Sequence, residues 1–269
     1  MKHISSKDNS TVKHIAKLMK SSSYRKENNQ FVIEGVRLCT DALDSNVEIS
    51  VAVFSEQAFE KHNELVNRMV GICESTFVFS DKLFSQISDT KSPQGILCVC
   101  SENSRNFNIQ QDSVYIALER IQDPSNMGTI LRTAEALGVK GVVITEDCCD
   151  VFSPKVIRGT MGAVFRLPIK VCGNIADMVE IFNSQNITTI AAVVDKNAVD
   201  VTNINPAEKK NCAIFIGNEG NGLEQTTIEK CRIKATIPML GRAESLNASV
   251  ASAIMMWEML RGCKQWKIH

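Results

Sequence analysis

The chain has 269 residues, 44% of them hydrophobic and 22% charged, and its 30 lysines and arginines balance 30 aspartates and glutamates. That length suits one large domain or two modest ones, and it buries enough surface to fold without disulfides or metals. Disorder, collagen-like repeats and coiled coils are excluded by composition, and the neutral balance gives no bulk attraction for a polyanion.

The longest apolar runs, such as residues 190–194, fall far short of the ~20 residues a membrane span needs. Residues 1–20 are polar and basic, with no apolar core of a signal peptide. The expected location is the cytoplasm, where the ten cysteines stay reduced. Their spacings include Cys98-x-Cys100 and the pair Cys148-Cys149 but no Cys-x-x-Cys, and the histidines are His3, His14, His62 and His269. No zinc pattern can be built from that set, so no metal is expected. Within residues 1–26, Lys2, Lys7, Lys13, Lys17, Lys20, Arg25 and Lys26 face Asp8 alone. Such a run is either a solvated helix face or a phosphate-contacting arm.

In chain order, Val12, Ile15, Ala16 and Met19 recur at helical spacing. Residues 31–33 read as a strand, and Glu34-Gly35 as the turn into a helix through Leu43. A strand at 51–54, a helix at 56–70 and a strand at 77–79 follow. The turn Ser92-Pro93-Gln94-Gly95 precedes a last strand at 96–100. Residues 101–112, poor in large apolar side chains, read as a linker between domains at 1–100 and 113–269. Beyond it, apolar runs mark strands at 114–118, 142–145, 167–171, 188–194, 213–216 and 233–237. Helices are predicted at 126–137, 154–164, 175–185 and 247–261. Continuous apolar strands alternating with helices indicate a parallel sheet covered on both faces, with ligands at the carboxyl ends of its strands.

Three of those strand ends carry unusual loops. After 114–118 comes Asp123-Pro124-Ser125-Asn126-Met127-Gly128, with Arg132 one turn beyond Gly128 and off the buried stripe, so that it can project toward the same edge as Asn126. After 213–216 comes Gly217-Asn218-Glu219-Gly220-Asn221-Gly222. Three glycines in six positions demand left-handed backbone or a close approach. Their G-x-x-G-x-G spacing is not the dinucleotide G-x-G-x-x-G, and Glu219 would repel a phosphate. That argues against a Rossmann-like oxidoreductase. The third loop is 237–247, from Ile237 to Asn247, where Asn247 suits a helix cap. The helix it opens is apolar all round, as either a core helix or a subunit interface would be.

Taken together, the three segments resemble the SpoU (TrmH) family of RNA ribose 2′-O-methyltransferases within the SPOUT class. The motif N-x-G-x-x-x-R-T-A is met by Asn126, Gly128, Arg132, Thr133 and Ala134, and G-x-E-G-x-G by Gly217, Glu219, Gly220 and Gly222. The motif I-P-M-x-G-x-x-x-S-L-N-x-S-V-A is met from Ile237 through Ser245, Leu246 and Asn247 to Ala251, with Ala248 standing where many relatives carry valine. The match spans about 114–261, and residues 1–100 more loosely resemble the family's N-terminal substrate-binding domain.

The resemblance implies an α/β fold, a SPOUT-type parallel sheet with a C-terminal trefoil knot preceded by a smaller α/β RNA-binding domain. It implies S-adenosylmethionine as cofactor, held largely by backbone groups at Gly217, Ile237 and Leu246, and methyl transfer to a ribose 2′-hydroxyl of structured RNA. Arg132 would activate that hydroxyl. A guanidinium with a pKa above ~12 stays charged, so electrostatic stabilisation of the forming alkoxide suits it better than proton abstraction. Asn126, Glu219, Ser245 and Asn247 would orient Arg132, the ribose and the loops, with Glu219 paired to an arginine of this chain or of a second subunit. A homodimer through helix 247–261 is implied. The N-terminal domain favours 23S ribosomal RNA as target. A transfer RNA target and a non-catalytic RNA-binding module on the same fold stand as alternatives.

Overall fold

The apolar runs pair into two sheets in the computed structural model, which describes residues 2–102 and 106–261. The chain packs as two compact units: Met1–Asn103 with Asp150–Phe165, and Ser104–Cys149 with Arg166–His269.

The first unit opens with β1 (Lys2–Ile4), α1 (Ser10–Lys20) and α2 (Ser22–Asn28). It continues through β2 (Gln30–Glu34), α3 (Val36–Asp44), β3 (Ile49–Ser55), α4 (Glu56–Lys61), α5 (Asn63–Val70), β4 (Ser75–Phe79), α6 (Asp81–Ile87) and β5 (Ile96–Ser101). The strands form a mixed sheet in the order β1-β4-β3-β5-β2. Side chains alternate across it. On one face Val32, Val53, Leu97 and Val99 pack against Val12, Ile15, Leu18 and Met19 of α1. On the other, Phe54 meets Phe59 of α4, and Cys98 meets Met69 of α5. The basic leading segment is therefore no extended arm. Asn9 caps α1 by accepting from the Thr11 N–H at 2.8 Å, and three of the helix's lysines stay on its exposed side.

The second unit begins with Phe107 and Ile109, which pack on its core. A Cβ at Gly141 would lie 2.6 Å from the Phe107 ring, so the glycine makes room for it. Most of the stretch read as linker thus lies against a sheet, because two apolar side chains suffice to hold it there. Next come β6 (Val114–Leu118), α7 (Pro124–Leu137) and β7 (Gly141–Thr145). Residues 150–165, which the sequence pattern assigned to the second block, pack with the first unit. There Phe152 stacks on Phe31 at 4.7 Å between centroids, and Arg25 pairs with Asp150 at 2.6 Å. Within that stretch α8 (Pro154–Thr160) ends earlier than the predicted 154–164. Met161 and Gly162 both take positive φ, 50° and 86°, and a short 3-10 turn follows.

The second unit resumes with β8 (Ile169–Cys172), α9 (Ile175–Ser184), β9 (Thr188–Ala192), β10 (Val199–Asp200) and α10 (Pro206–Lys209). It closes with β11 (Cys212–Ile216), α11 (Gln225–Lys230), β12 (Ile233–Thr236) and α12 (Ala248–Leu260). Its seven strands, in the order β10-β12-β9-β11-β6-β7-β8, are all parallel. The central strands β6 and β11 are buried along their whole length. No helix of the described residues is long and apolar enough to cross a membrane, and no group of three His, Cys, Asp or Glu among them could hold a metal.

Candidate active site

Because the second sheet is all parallel, the segments after β6, β9, β11 and β12 leave it at one edge. From β6 the chain steps outward through β7 to β8, whereas β11, β9 and β12 lie on the other side of β6. The order reverses between β6 and β11, and such a switch point opens a crevice at the carboxyl ends of the strands.

The segment after β6 is pinned by polar groups. Glu119 is buried and accepts from the Glu224 N–H at 2.7 Å and the Thr227 hydroxyl at 2.9 Å. Arg120 takes a left-handed φ of 56°. Its N–H donates to Thr145 Oγ1, its carbonyl accepts from Asn218 Nδ2 at 2.8 Å, and its guanidinium pairs with Glu224. Asp123 then caps α7, accepting from the Ser125 and Asn126 N–H groups, with Pro124 in the first turn where no N–H is missed.

The segment after β11 folds on itself. Asn218 and Gly222 exchange backbone hydrogen bonds at 3.0 and 2.9 Å, and Asn218 Oδ1 accepts from the N–H groups of Gly220 and Asn221. The glycines serve different ends. A Cβ at Gly217 would fall 2.0 Å from the Gly222 carbonyl carbon and 2.1 Å from the Leu223 nitrogen. Gly222 has open space but a φ of +68°, and Gly220 would meet only Asn218 Oδ1, at 3.5 Å.

These turns bring three candidate residues into one hydrogen-bonded chain. Asn247 Nδ2 donates to Asn126 Oδ1 at 3.0 Å, and Asn126 Nδ2 donates to Glu219 Oε1 at 3.0 Å. Glu219 also accepts from the N–H groups of Gln122 at 3.2 Å and Asp123 at 3.1 Å. At the far end Asn247 Oδ1 caps α12, accepting from the Ser249 and Val250 N–H groups. An ionised carboxylate only accepts, so it forces the NH2 of Asn126 toward itself, which in turn forces the NH2 of Asn247 toward Asn126. One charge thus sets both amides. Partial burial pushes the Glu219 pKa up, but the bonds from Asn126 and the backbone N–H groups outweigh it and leave the carboxyl below its ordinary value.

Beside this chain lies a cavity of about 570 Å³. Its walls come from 192–195 after β9, 216–223 after β11, 234–239 at the end of β12, and 245–255 into α12. Apolar side chains of Ile216, Leu223, Ile237, Leu246 and Met255 line it, and its charged residues are Asp195, Glu219 and Lys234.

A model of the SpoU rRNA methylase family matches residues 113–257, more than half of the sequence. The chain belongs to the SpoU rRNA methylase family. Residues 9–98 match an MRM3-like substrate-binding domain. The chain is 31% identical to the 23S rRNA (guanosine(2553)-2′-O)-methyltransferase RlmP of Bacillus subtilis, across 97% of this chain and 100% of that protein. An AdoMet-bound rRNA methyltransferase from Sinorhizobium meliloti superimposes with a TM-score of 0.85 at 30% identity, covering 96% of each chain. The SpoU methyltransferase AviRb from Streptomyces viridochromogenes, at 21% identity and a TM-score of 0.83, shares the fold. The mixed α/β architecture with its parallel sheet is that of the SPOUT methyltransferases.

Within the SpoU fold the expected residues fall into two groups. Gly217, Ile237, Leu246, Glu219 and Ser245 line the cavity, and Asn126 and Asn247 join Glu219 in the polar chain. Arg132 stands apart. It is exposed, bonds to none of the other four, and has no hydrogen-bond or ion-pair partner among the described residues. Six residues along α7 place it ~9 Å from Asn126 and about 120° round the helix, so the two do not share an edge. Glu219, expected to pair with an arginine, accepts within this chain from an amide and from backbone instead. Sequence reasoning passed over Asn218, whose side chain builds the glycine turn; Asn before Glu-Gly is a recognisable former of such turns. It also passed over Glu119 and the wall at 193–195, which the carboxyl-end rule for parallel strands could have supplied.

Proposed function

We propose that this SpoU member transfers the methyl group of S-adenosylmethionine to a ribose 2′-hydroxyl of ribosomal RNA, with 23S RNA as the target. The observation that carries the reading is the meeting of the cavity with the Asn126–Glu219–Asn247 chain at one sheet edge. The cavity falls in the ~300–1,000 Å³ range of small-ligand sites, and its lining is shared about evenly between apolar and polar surface. Two carboxylates against one lysine suit a cationic ligand, and the absence of a phosphate cradle suits one that carries no phosphate. The S. meliloti relative was crystallised with AdoMet, and RlmP is named for 2′-O-methylation of 23S RNA; its full-length match to this chain favours ribosomal over transfer RNA.

When bound, S-adenosylmethionine supplies an electrophilic methyl group on a positively charged sulfur. Backbone groups at Gly217, Ile237 and Leu246 hold it, and Glu219, anionic at neutral pH, lends negative potential beside it. Asn126 spends one N–H on Glu219 and keeps the second for a ribose oxygen. Ser245 offers its hydroxyl to the same sugar. Arg132, exposed and permanently charged, holds an RNA phosphate. Arg132→Lys keeps the charge without the fork and retains partial activity.

The chain acts in the cytoplasm as a homodimer through α12. Val250 and Trp257, 46% and 47% exposed, lie with Ile254 at helical spacing on the side turned away from Met255, Met256 and Met259. We infer the trefoil knot in the C-terminal part of this fold. Transfer of tritiated methyl to 23S RNA, followed by mapping of the modified nucleotide, tests the function. Incorporation into transfer RNA alone would refute the ribosomal assignment, and none into any RNA, with the cofactor bound, would favour a binding module. A monomer in sedimentation at micromolar concentration would refute the dimer.

A further inference from the structure

The charge of the first unit is divided along the sequence. Residues 2–26 hold seven cations against Asp8 alone. Residues 27–102 reverse the balance, with twelve carboxylates against Arg37, Lys61, Arg68, Lys82 and Lys91. Folding turns this into a difference between two faces of one sheet. Helix α1 covers the face of Val53, Leu97 and Val99. The opposite face is covered by α3, α4 and α5, which reach it through Cys39, Phe59 and Met69, and over β2 by residues 150–165, through Phe152 on Phe31. The three helices carry Asp41, Asp44, Glu56, Glu60 and Glu64 beside Arg37, Lys61 and Arg68, and α8 adds Lys155 and Arg158, so this face mixes both signs.

On α1 the buried stripe of Val12, Ile15, Leu18 and Met19 forces Lys13, Lys17 and Lys20 outward. Their i, i+4, i+7 spacing lines them along about 10.5 Å of one ridge. Lys13 reaches Asp8 at 3.3 Å with both side chains largely exposed, so the pair exchanges freely with water and ions. Lys17 sits over the Tyr24 ring, 5.3 Å from its centroid, and Tyr24 is held by a hydrogen bond to His14 Nδ1 at 2.9 Å. Core packing does not account for three lysines in line; an alternating pattern of charges would have served solubility as well. Arg25, by contrast, is taken up by Asp150 and is no part of the ridge.

We propose that Lys13, Lys17 and Lys20 form a phosphate-contacting ridge through which the first unit grips the sugar-phosphate backbone of the substrate RNA. The inference rests on RNA being the substrate. The ridge supplies grip and orientation, not sequence choice, because phosphate contacts are blind to the bases.

The test is the salt dependence of binding by the full chain to a labelled stem-loop transcript of 23S RNA spanning nucleotide 2553. Each phosphate contact contributes about 0.7–0.9 to the slope of log affinity against log salt. The triple variant Lys13→Gln, Lys17→Gln, Lys20→Gln is therefore expected to flatten the slope by about 2–2.7. Its deficit relative to wild type shrinks about 20- to 40-fold between 50 and 200 mM salt. The matched triple Arg37→Gln, Lys61→Gln, Arg68→Gln on the opposite face, where cations alternate with carboxylates, leaves the slope unchanged. Equal flattening by both triples, or none by the first with its helical content intact, overturns the ridge. Cofactor binding and methyl transfer by the wild type are measured alongside. Should the slopes divide as stated while no methyl is transferred, the ridge stands and the catalytic reading fails.

Discussion

Replacing Gly217 by alanine tests whether the glycine loop shapes the cofactor cavity. The new Cβ would sit 2.0 Å from the Gly222 carbonyl carbon and 2.1 Å from the Leu223 nitrogen. Carbon atoms rest ~3.5–4.0 Å apart, so the facing backbone must retreat by roughly 1.5 Å. Backbone cannot rotate aside as a side chain would. Such a retreat stretches both Asn218–Gly222 hydrogen bonds, now 3.0 and 2.9 Å, past bonding range. Two bonds at about 0.5–1.5 kcal/mol each and overpacking at about 1–3 kcal/mol total about 2–6 kcal/mol. If that distortion falls on the binding-competent loop, affinity for S-adenosylmethionine drops about 30-fold or more. Isothermal titration calorimetry reads the loss, and circular dichroism checks that the fold persists. The neighbouring glycines give the scale. Gly222→Ala suffers only the left-handed penalty of ~1–2 kcal/mol, and Gly220→Ala, meeting one atom at 3.5 Å, stays near wild type. Should Gly217→Ala bind like wild type, or Gly220→Ala prove the worst of the three, the backbone-crowding argument is wrong.

Three further outcomes follow from the contacts described. Glu219→Gln, which frees both amides to turn over, lowers methyl transfer on the order of 100-fold. Because the native Glu219 pKa is depressed, its contribution is present above the ordinary carboxylate range and is lost as pH falls through the lowered value. An acid limb in wild-type stability that persists in Glu219→Gln would contradict this. Arg25→Met leaves the half-buried Asp150 carboxylate without its cation and destabilises by up to about 3–5 kcal/mol, seen as a lower urea midpoint. The double variant Arg25→Met, Asp150→Leu recovers most of it, and a double variant no better than the single refutes the pairing. Burial, with Cys98 nearby, pushes the Cys73 thiol up to about 12, and burial lifts Cys231 to about 12. Iodoacetamide at pH 8 therefore leaves both unmodified in the native protein and labels them in urea; native labelling at the unfolded rate would count against it.

How much of this was legible in the sequence depended on whether the signal was local. Asn247 as a cap, Pro124 at a helix start and the apolar strands of the second sheet follow from neighbours in sequence, and they stand as read. The break at His62, which splits the helix expected over 56–70 into α4 and α5, had no local marker. No Gly or Pro lies there, and Ala58, Leu65, Val66 and Met69 keep helical spacing across it. β1 was invisible because Lys2-His3-Ile4 has no apolar pattern and pairs only at a sheet edge, with β4. The packing of 150–165 on β2 rests on Phe31 meeting Phe152, a contact over more than a hundred residues that periodicity cannot report. At the site, the motifs named Asn126, Glu219 and Asn247 but not their bonding to one another. That bonding depends on where three strand ends meet, and helix geometry, not the motif, turns Arg132 away from Asn126.

The pairing of β6 with β11 joins Val114–Leu118 to Cys212–Ile216, and it fixes the order in which the molecule can mature. During synthesis the middle of the second sheet stays open for nearly a hundred residues, until β11 emerges and inserts. The cavity waits longer still, since Leu246 and α12 furnish its final wall. Nascent chains stopped short of α12 therefore hold a finished first unit and no ligand site, and such late, long-range closure is slow compared with local folding.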